Sequence, residues 1–164
     1  MQASEQNPPG LDHGEGKEPI RLKSVMRGDV IRAGMDTTLS EAITICFQQR
    51  IRHLPVVNSY GQLAGLVTDR DLRFYISHRL GTIMENNSDR ETLHHHLNVI
   101  MVRRLITGRP DMPIDEAARL MVDNHIGCLP VVDAESRLLG IVTAGDFLRL
   151  IAQGVLEGSL PASH

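Results

Sequence analysis

The 164 residues predict a mixed α/β fold (α+β) of two β-α-β-β-α repeats that can pack through their sheets. Three observations lead there. The phrase "HLPVVNSYGQLAGLVTDRDL" from His53 returns as "CLPVVDAESRLLGIVTAGDF" from Cys128, an offset of 75. The pairs Pro55/Pro130, Gly65/Gly140, Thr68/Thr143 and Asp71/Asp146 all keep that offset. It also preserves a helix face, and in each copy a short polar turn joins two apolar runs. A period this long, present twice, marks a duplicated domain, because solenoids need three or more stacked units.

Each element follows in order. "DVI" (Asp29–Ile31) and "RLI" (Arg104–Ile106) read as short first strands. In the following helix Leu39, Ala42, Ile43, Cys46, Phe47 and Ile51 share one face at helical spacing. Their counterparts Ile114, Ala117, Ala118, Met121, Val122 and Ile126 are all apolar. Thr38 and Glu41 form a capping pattern, whereas the second copy starts on Pro113, a helix-start residue without a side-chain acceptor. "LPVV" is a β-branched run after a proline, which suits the start of a strand. The turns "NSYGQ" and "DAESR" lead to strands at Leu63–Val67 and Leu138–Val142, giving a hairpin in each copy. Second helices begin at about Asp69 and Ala144. Apolar around more than one face, they suit either a second subunit or the inter-repeat helix and termini.

The chain divides into a flexible leader over 1–19, a first repeat over 20–77, a linker over 78–98, a second repeat over 99–157 and a loose tail over 158–164. In the linker, Ser88 and Glu91 read as a capping box opening a short helix. Each repeat alone would bury a modest core, so mutual packing is expected. A formal charge of −3 argues against a nucleic-acid partner, which demands a basic footprint. No apolar run reaches membrane-span length and no signal-peptide pattern opens the chain, so a soluble cytoplasmic protein is expected. Cys46 and Cys128 make neither a disulfide nor a metal framework, and Cys46 falls on the apolar helix stripe. The run His94–His96 points its side chains about 100° apart and suits a solvated face better than a metal site. No G-x-S-x-G, H-E-x-x-H or Walker loop occurs, so no catalytic residues are nominated and an enzyme is not expected.

The doubled "LPVV…G-(I/L)-V-T-x-x-D" phrase, the preceding amphipathic helices, and Val25-Met26 and Ile100-Met101 ahead of each first strand resemble a tandem pair of CBS domains, the Bateman module. The resemblance covers about residues 20 to 155. It implies a pseudo-twofold pair of the β-α-β-β-α units, with two clefts between the halves that hold adenosine ligands: AMP, ADP, ATP or S-adenosylmethionine. It further implies a disk-like homodimer and a sensor acting on a separate effector protein. By the same resemblance, one cleft unites Thr143 and Asp146 with Val30, Arg52, His53 and Pro55. The other unites Thr68, Arg70 and Asp71 with Leu105, Cys128, Leu129 and Pro130. The carboxylate three residues after each threonine would accept ribose hydroxyls, and the helix start would receive phosphate.

Other readings stand beside these. Thr-x-x-Asp at a helix start is also a capping arrangement that needs no ligand. Arg52 also suits a helix-end cation, His53 a partly buried histidine, and Val30 and Leu105 plain core. Two departures stand out: Cys128 cannot replace a cation, and Arg27 follows Met26 where similar modules often carry threonine. A structural dimer with vestigial clefts is the alternative function.

Overall fold

The computed structural model describes residues 18–76 and 80–154. The tail of 158–164, and the leader of 1–19 apart from its last two residues, lie outside them. In chain order the elements are α1 (Leu22–Val25), β1 (Ala33–Gly34), α2 (Leu39–Gln49), β2 (His53–Val57), β3 (Leu63–Thr68) and α3 (Asp69–Tyr75). There follow α4 (Asn87–Glu91), a 3-10 turn (Thr92–His94), α5 (Leu97–Ile100), α6 (Ile114–Asp123), β4 (Cys128–Val132), β5 (Leu138–Thr143) and α7 (Ala144–Ala152).

The hairpins stand where the apolar runs flanking each polar turn put them. β2 and β3 pair antiparallel with His53 opposite Thr68 and Val56 opposite Gly65. β4 and β5 repeat that register 75 residues on, Cys128 opposite Thr143 and Val131 opposite Gly140. Helix α2 opens on the expected Thr38–Glu41 capping box, and α6 on Pro113 without a side-chain cap.

Three expectations need correction. The first strands are not "DVI" and "RLI": β1 is Ala33–Gly34, pairing parallel with Val56 and Val57, and its counterpart is the single bridge of Gly108 to Val131. The β-branched residues carry strand propensity, but only the later residues reach the free edge of the hairpin. Second, Phe47 and Val122 point outward, 83% and 70% exposed, although Leu39, Ala42 and Cys46 of the same stripe are buried. The buried stripe is narrower than the apolar one. Third, α4 is capped by Asn86 and Asp89, two residues before the expected box.

The segments that lead into each repeat cross to the opposite one. Leu22 is fully buried with Ala117, Met121, Leu129, Val131 and Val142 of the second repeat. Leu97, Ile100 and Met101 lie reciprocally in the core of the first, with Leu54, Val56 and Val67. The backbone repeats the exchange. Leu22 N–H donates to the carbonyl of Met112 and Leu97 N–H to that of Thr37, at 2.9 and 2.8 Å. Arg27 exchanges both backbone bonds with Ile141, and Val102 does the same with Leu66. Met26 and Met101 fit over glycines: a Cβ on Gly140 would sit 2.5 Å from Met26 Sδ, and one on Gly65 2.5 Å from Met101 Sδ. Helices α1 and α5 thus each complete the opposite repeat.

The hairpin turns meet across the pseudo-twofold. Leu63 N–H donates to Ser136 O at 2.9 Å and Leu138 N–H to Gly61 O at 3.1 Å. Gly61 and Ser136 both take positive φ, 76° and 63°, so the duplicated backbone turn survives the change of side chain.

Candidate functional site

A cavity of about 570 Å³ opens between the repeats, within the size range of small-molecule sites. One wall is the strand-to-helix corner of the first repeat, Thr68 to Asp71, together with Arg52 and His53. The other comes from the second repeat: Val102, Arg104, Leu105 and Ile106 before its first strand position, and His125 to Cys128 with Pro130. The hairpin register explains the grouping. His53 lies opposite Thr68, and Asp69 N–H donates to Arg52 O at 3.0 Å, so the corner carries the strand's start with it. The His53 ring reaches across to the second repeat, where a Cβ on Gly127 would meet its Nε2 at 3.4 Å.

At the corner, Asp71 Oδ2 accepts from Thr68 N–H at 2.9 Å and from its hydroxyl at 2.7 Å, while Asp71 N–H donates to Thr68 Oγ1 at 3.2 Å. The capping reading therefore holds, and it uses one carboxylate oxygen. Asp71 Oδ1 receives no hydrogen bond from a described residue. In the lining of the same cavity, Arg52, Arg70 and Arg104 form no ion pair among the described residues, whereas Asp69 is engaged by Arg73 at 2.8 Å. The cavity thus presents a spare carboxylate oxygen and uncommitted guanidiniums.

The second corner differs. Asp146 is 5% exposed, and its Oδ2 accepts from Thr143 N–H at 2.9 Å and the Thr143 hydroxyl at 2.7 Å. Its Oδ1 is taken up: Arg149 Nη1 donates at 2.8 Å, and Arg27 donates through Nη2 at 3.1 Å and Nε at 3.3 Å. Burial pushes the Asp146 carboxyl up, but the bonds from Thr143, Arg149 and Arg27 outweigh it and hold it below the usual carboxylate range.

Of the residues assigned to the Asp71 cleft, Thr68, Arg70, Asp71, Leu105, Cys128 and Pro130 line the cavity together. Leu129 does not; it is fully buried against the second core. Arg52 and His53, expected beside Asp146, stand in the Asp71 cavity instead. Pro55 is fully buried and Val30 is half-buried, and neither lines this cavity. Among the lining residues that sequence reasoning missed are Val102, Arg104, Ile106 and His125. Arg104 lay one residue from the nominated Leu105.

Burial pushes the Cys128 thiol up to about 12, so it is a neutral wall group. Burial also depresses His53; Asp69 opposes the shift and Arg52 reinforces it. A histidine held neutral in the fold contributes stability that is whole above its unfolded pKa, about 6.5. That contribution is lost as the pH falls below it, since the unfolded chain takes the proton more readily. The urea midpoint is expected to fall as the pH is lowered from about 7 to about 5, with a smaller fall in His53→Gln. An equal fall in both proteins would show that His53 is not the group responsible.

Among the described residues no group of three or more His, Cys, Asp or Glu could hold a metal. His96 instead donates through Nδ1 to the carbonyl of Asp36 at 2.7 Å. No helix among the described residues is long and apolar enough to cross a membrane.

Two copies of one α/β unit, joined across a pseudo-twofold and enclosing a ligand-sized cavity between them, define a tandem-module protein. The CBS domain model matches residues 22–78 and 97–153, and the chain belongs to that family. A CBS domain-containing protein of Dictyostelium discoideum is 38% identical over 146 residues, covering 88% of this chain and 99% of its own length. The chain spans only 24% of the length of several longer enzymes that it also matches. Among solved structures, the CBS domain pair of protein MJ0100 in complex with 5′-methylthioadenosine and S-adenosyl-L-methionine is similar at TM-score 0.70 and 29% identity, over 83% of this chain and 98% of that one. CBSX2 in complex with AMP is similar at TM-score 0.68 and 25% identity, over 81% and 96%.

Proposed function

We propose that this CBS pair is a regulatory module that binds an adenosine phosphate, AMP, ADP or ATP, in the cavity edged by Asp71. The observation that carries this reading is the spare Oδ1 of Asp71 in one cavity with Arg52, Arg70 and Arg104. The carboxylate oxygen accepts the ribose hydroxyls. The guanidiniums and the N-terminal amides of α3 meet the phosphates, the guanidiniums through charge-assisted bonds. Leu105 and Ile106 flank the base. The adenosine complexes of MJ0100 and CBSX2 support the ligand class. Three cations around the cavity favour a phosphate over the sulfonium of S-adenosylmethionine.

The module does no chemistry of its own on this reading. A bound nucleotide favours whichever arrangement of the two repeats it binds more tightly, and a separate effector reads the difference. The same reading includes a homodimer. Phe47 and Phe74 of the first repeat and Val122, Leu148 and Ile151 of the second are exposed apolar residues on paired helices, a surface suited to a second copy. Sedimentation is expected to give twice the chain mass, and Val122→Glu the mass of one chain; a monomeric wild type would remove this part.

Thermal melting against AMP, ADP, ATP and S-adenosylmethionine tests the ligand. At about 100 times its dissociation constant a ligand stabilises by about 2.7 kcal/mol. A rise with the phosphates that exceeds the rise with S-adenosylmethionine is the expected result. No rise with any of the four would leave the interaction scaffold as the function, and a rise with S-adenosylmethionine alone would reassign the ligand.

A further inference from the structure

We infer that the pair is asymmetric by construction: Arg27 occupies the ribose position of the Asp146 corner, so one nucleotide binds per chain, at Asp71. This rests on the nucleotide reading above. The two corners share their hairpin register and the Thr-to-Asp cap, so they offer the same starting geometry. They part at the second carboxylate oxygen. Asp146 Oδ1 accepts three N–H bonds from Arg27 and Arg149, more than its two lone pairs accommodate ideally, and has nothing left for a sugar hydroxyl. Asp71 Oδ1 has no donor among the described residues.

The difference traces to two positions of the duplication. The counterpart of Arg27 is Val102, which is apolar and lines the open cavity, and the counterpart of Arg149 is Phe74, 84% exposed. Arg27 arrives at Asp146 because its backbone is bonded on both sides to Ile141, so the exchanged leader segment itself delivers the plug. Its side chain is 56% exposed while Asp146 is 5% exposed. The guanidinium therefore covers the carboxylate from the solvent side, where a ligand would enter. Removing Arg27 uncovers one lobe of Oδ1 without touching either core.

Calorimetric titration with ADP at fixed ionic strength tests this, with a melt of each variant to confirm folding. The expected stoichiometries are one per chain for the wild type, two for Arg27→Ala, and one for the double variant Arg27→Ala/Asp71→Asn, in which the Asp146 corner is the site that remains. Two events in the wild type, one event in Arg27→Ala, or none in the double variant would each overturn the plug while leaving nucleotide binding intact. No binding by either wild type or Arg27→Ala would overturn the nucleotide reading and this inference with it.

Discussion

Asp71→Asn loses most of the nucleotide-dependent gain in stability while keeping the fold. Asparagine retains an oxygen for the Thr68 N–H, so the cap on α3 persists; what disappears is the anionic acceptor facing the cavity. A hydrogen bond to a charged acceptor is worth roughly 1.5–3 kcal/mol, or about ten- to hundredfold in affinity. At a ligand concentration that stabilises the wild type by about 2.7 kcal/mol, the variant should gain only about 0.3–1.3 kcal/mol. Asp71→Ala also removes the acceptor for Thr68 N–H, the reciprocal half of the capping box, at a cost of about 0.5–1.5 kcal/mol of ligand-free stability, while Thr68 Oγ1 still accepts from the N–H of residue 71. An undiminished ligand-induced shift in Asp71→Asn would show that Asp71 does not touch the ligand.

Leu22→Ala is expected to be among the most damaging single changes, and to do its damage in the second repeat. Leu22 is fully buried with Leu129, Val131 and Val142, and its Cδ1 lies 2.6 Å from where a Cβ on Gly108 would stand. Truncating such a leucine costs roughly 2–5 kcal/mol, a large part of the 5–15 kcal/mol that holds a typical domain together. Hydrogen exchange should show protection falling first at Val131 and Val142. Leu97→Ala should do the same at Val56 and Val67 of the first repeat. If Leu22→Ala instead exposed the first repeat, the reciprocal packing of α1 and α5 would be wrong.

The parts of this architecture that were legible in the sequence are those with a short-range signature. Both hairpins follow from apolar runs flanking polar turns, and α2 and α6 from a helical stripe that survives an offset of 75. The cap of α2 is written in Thr38 and Glu41. In the linker two such patterns overlap, and the structure uses Asn86 with Asp89 rather than Ser88 with Glu91. The exchange of α1 and α5 had no local mark. Val25-Met26 and Ile100-Met101 carry similar apolar patterns and suit either core. The candidate site divides the same way. Thr68, Asp71 and Pro130 are motif residues and were found, but the bond from Arg27 to Asp146 joins positions 119 apart. Its only trace in the sequence was an arginine where similar modules often carry threonine.

The exchanged leaders change what a single backbone cut would do. Cleavage at about residue 80 would leave two fragments, each carrying the piece that its counterpart needs to close its interior. Neither fragment would be a finished module by itself, but mixed together they hold a complete set of complementary parts. Loss of one half should therefore unravel the other, and co-expression of both halves should restore them as a two-chain complex.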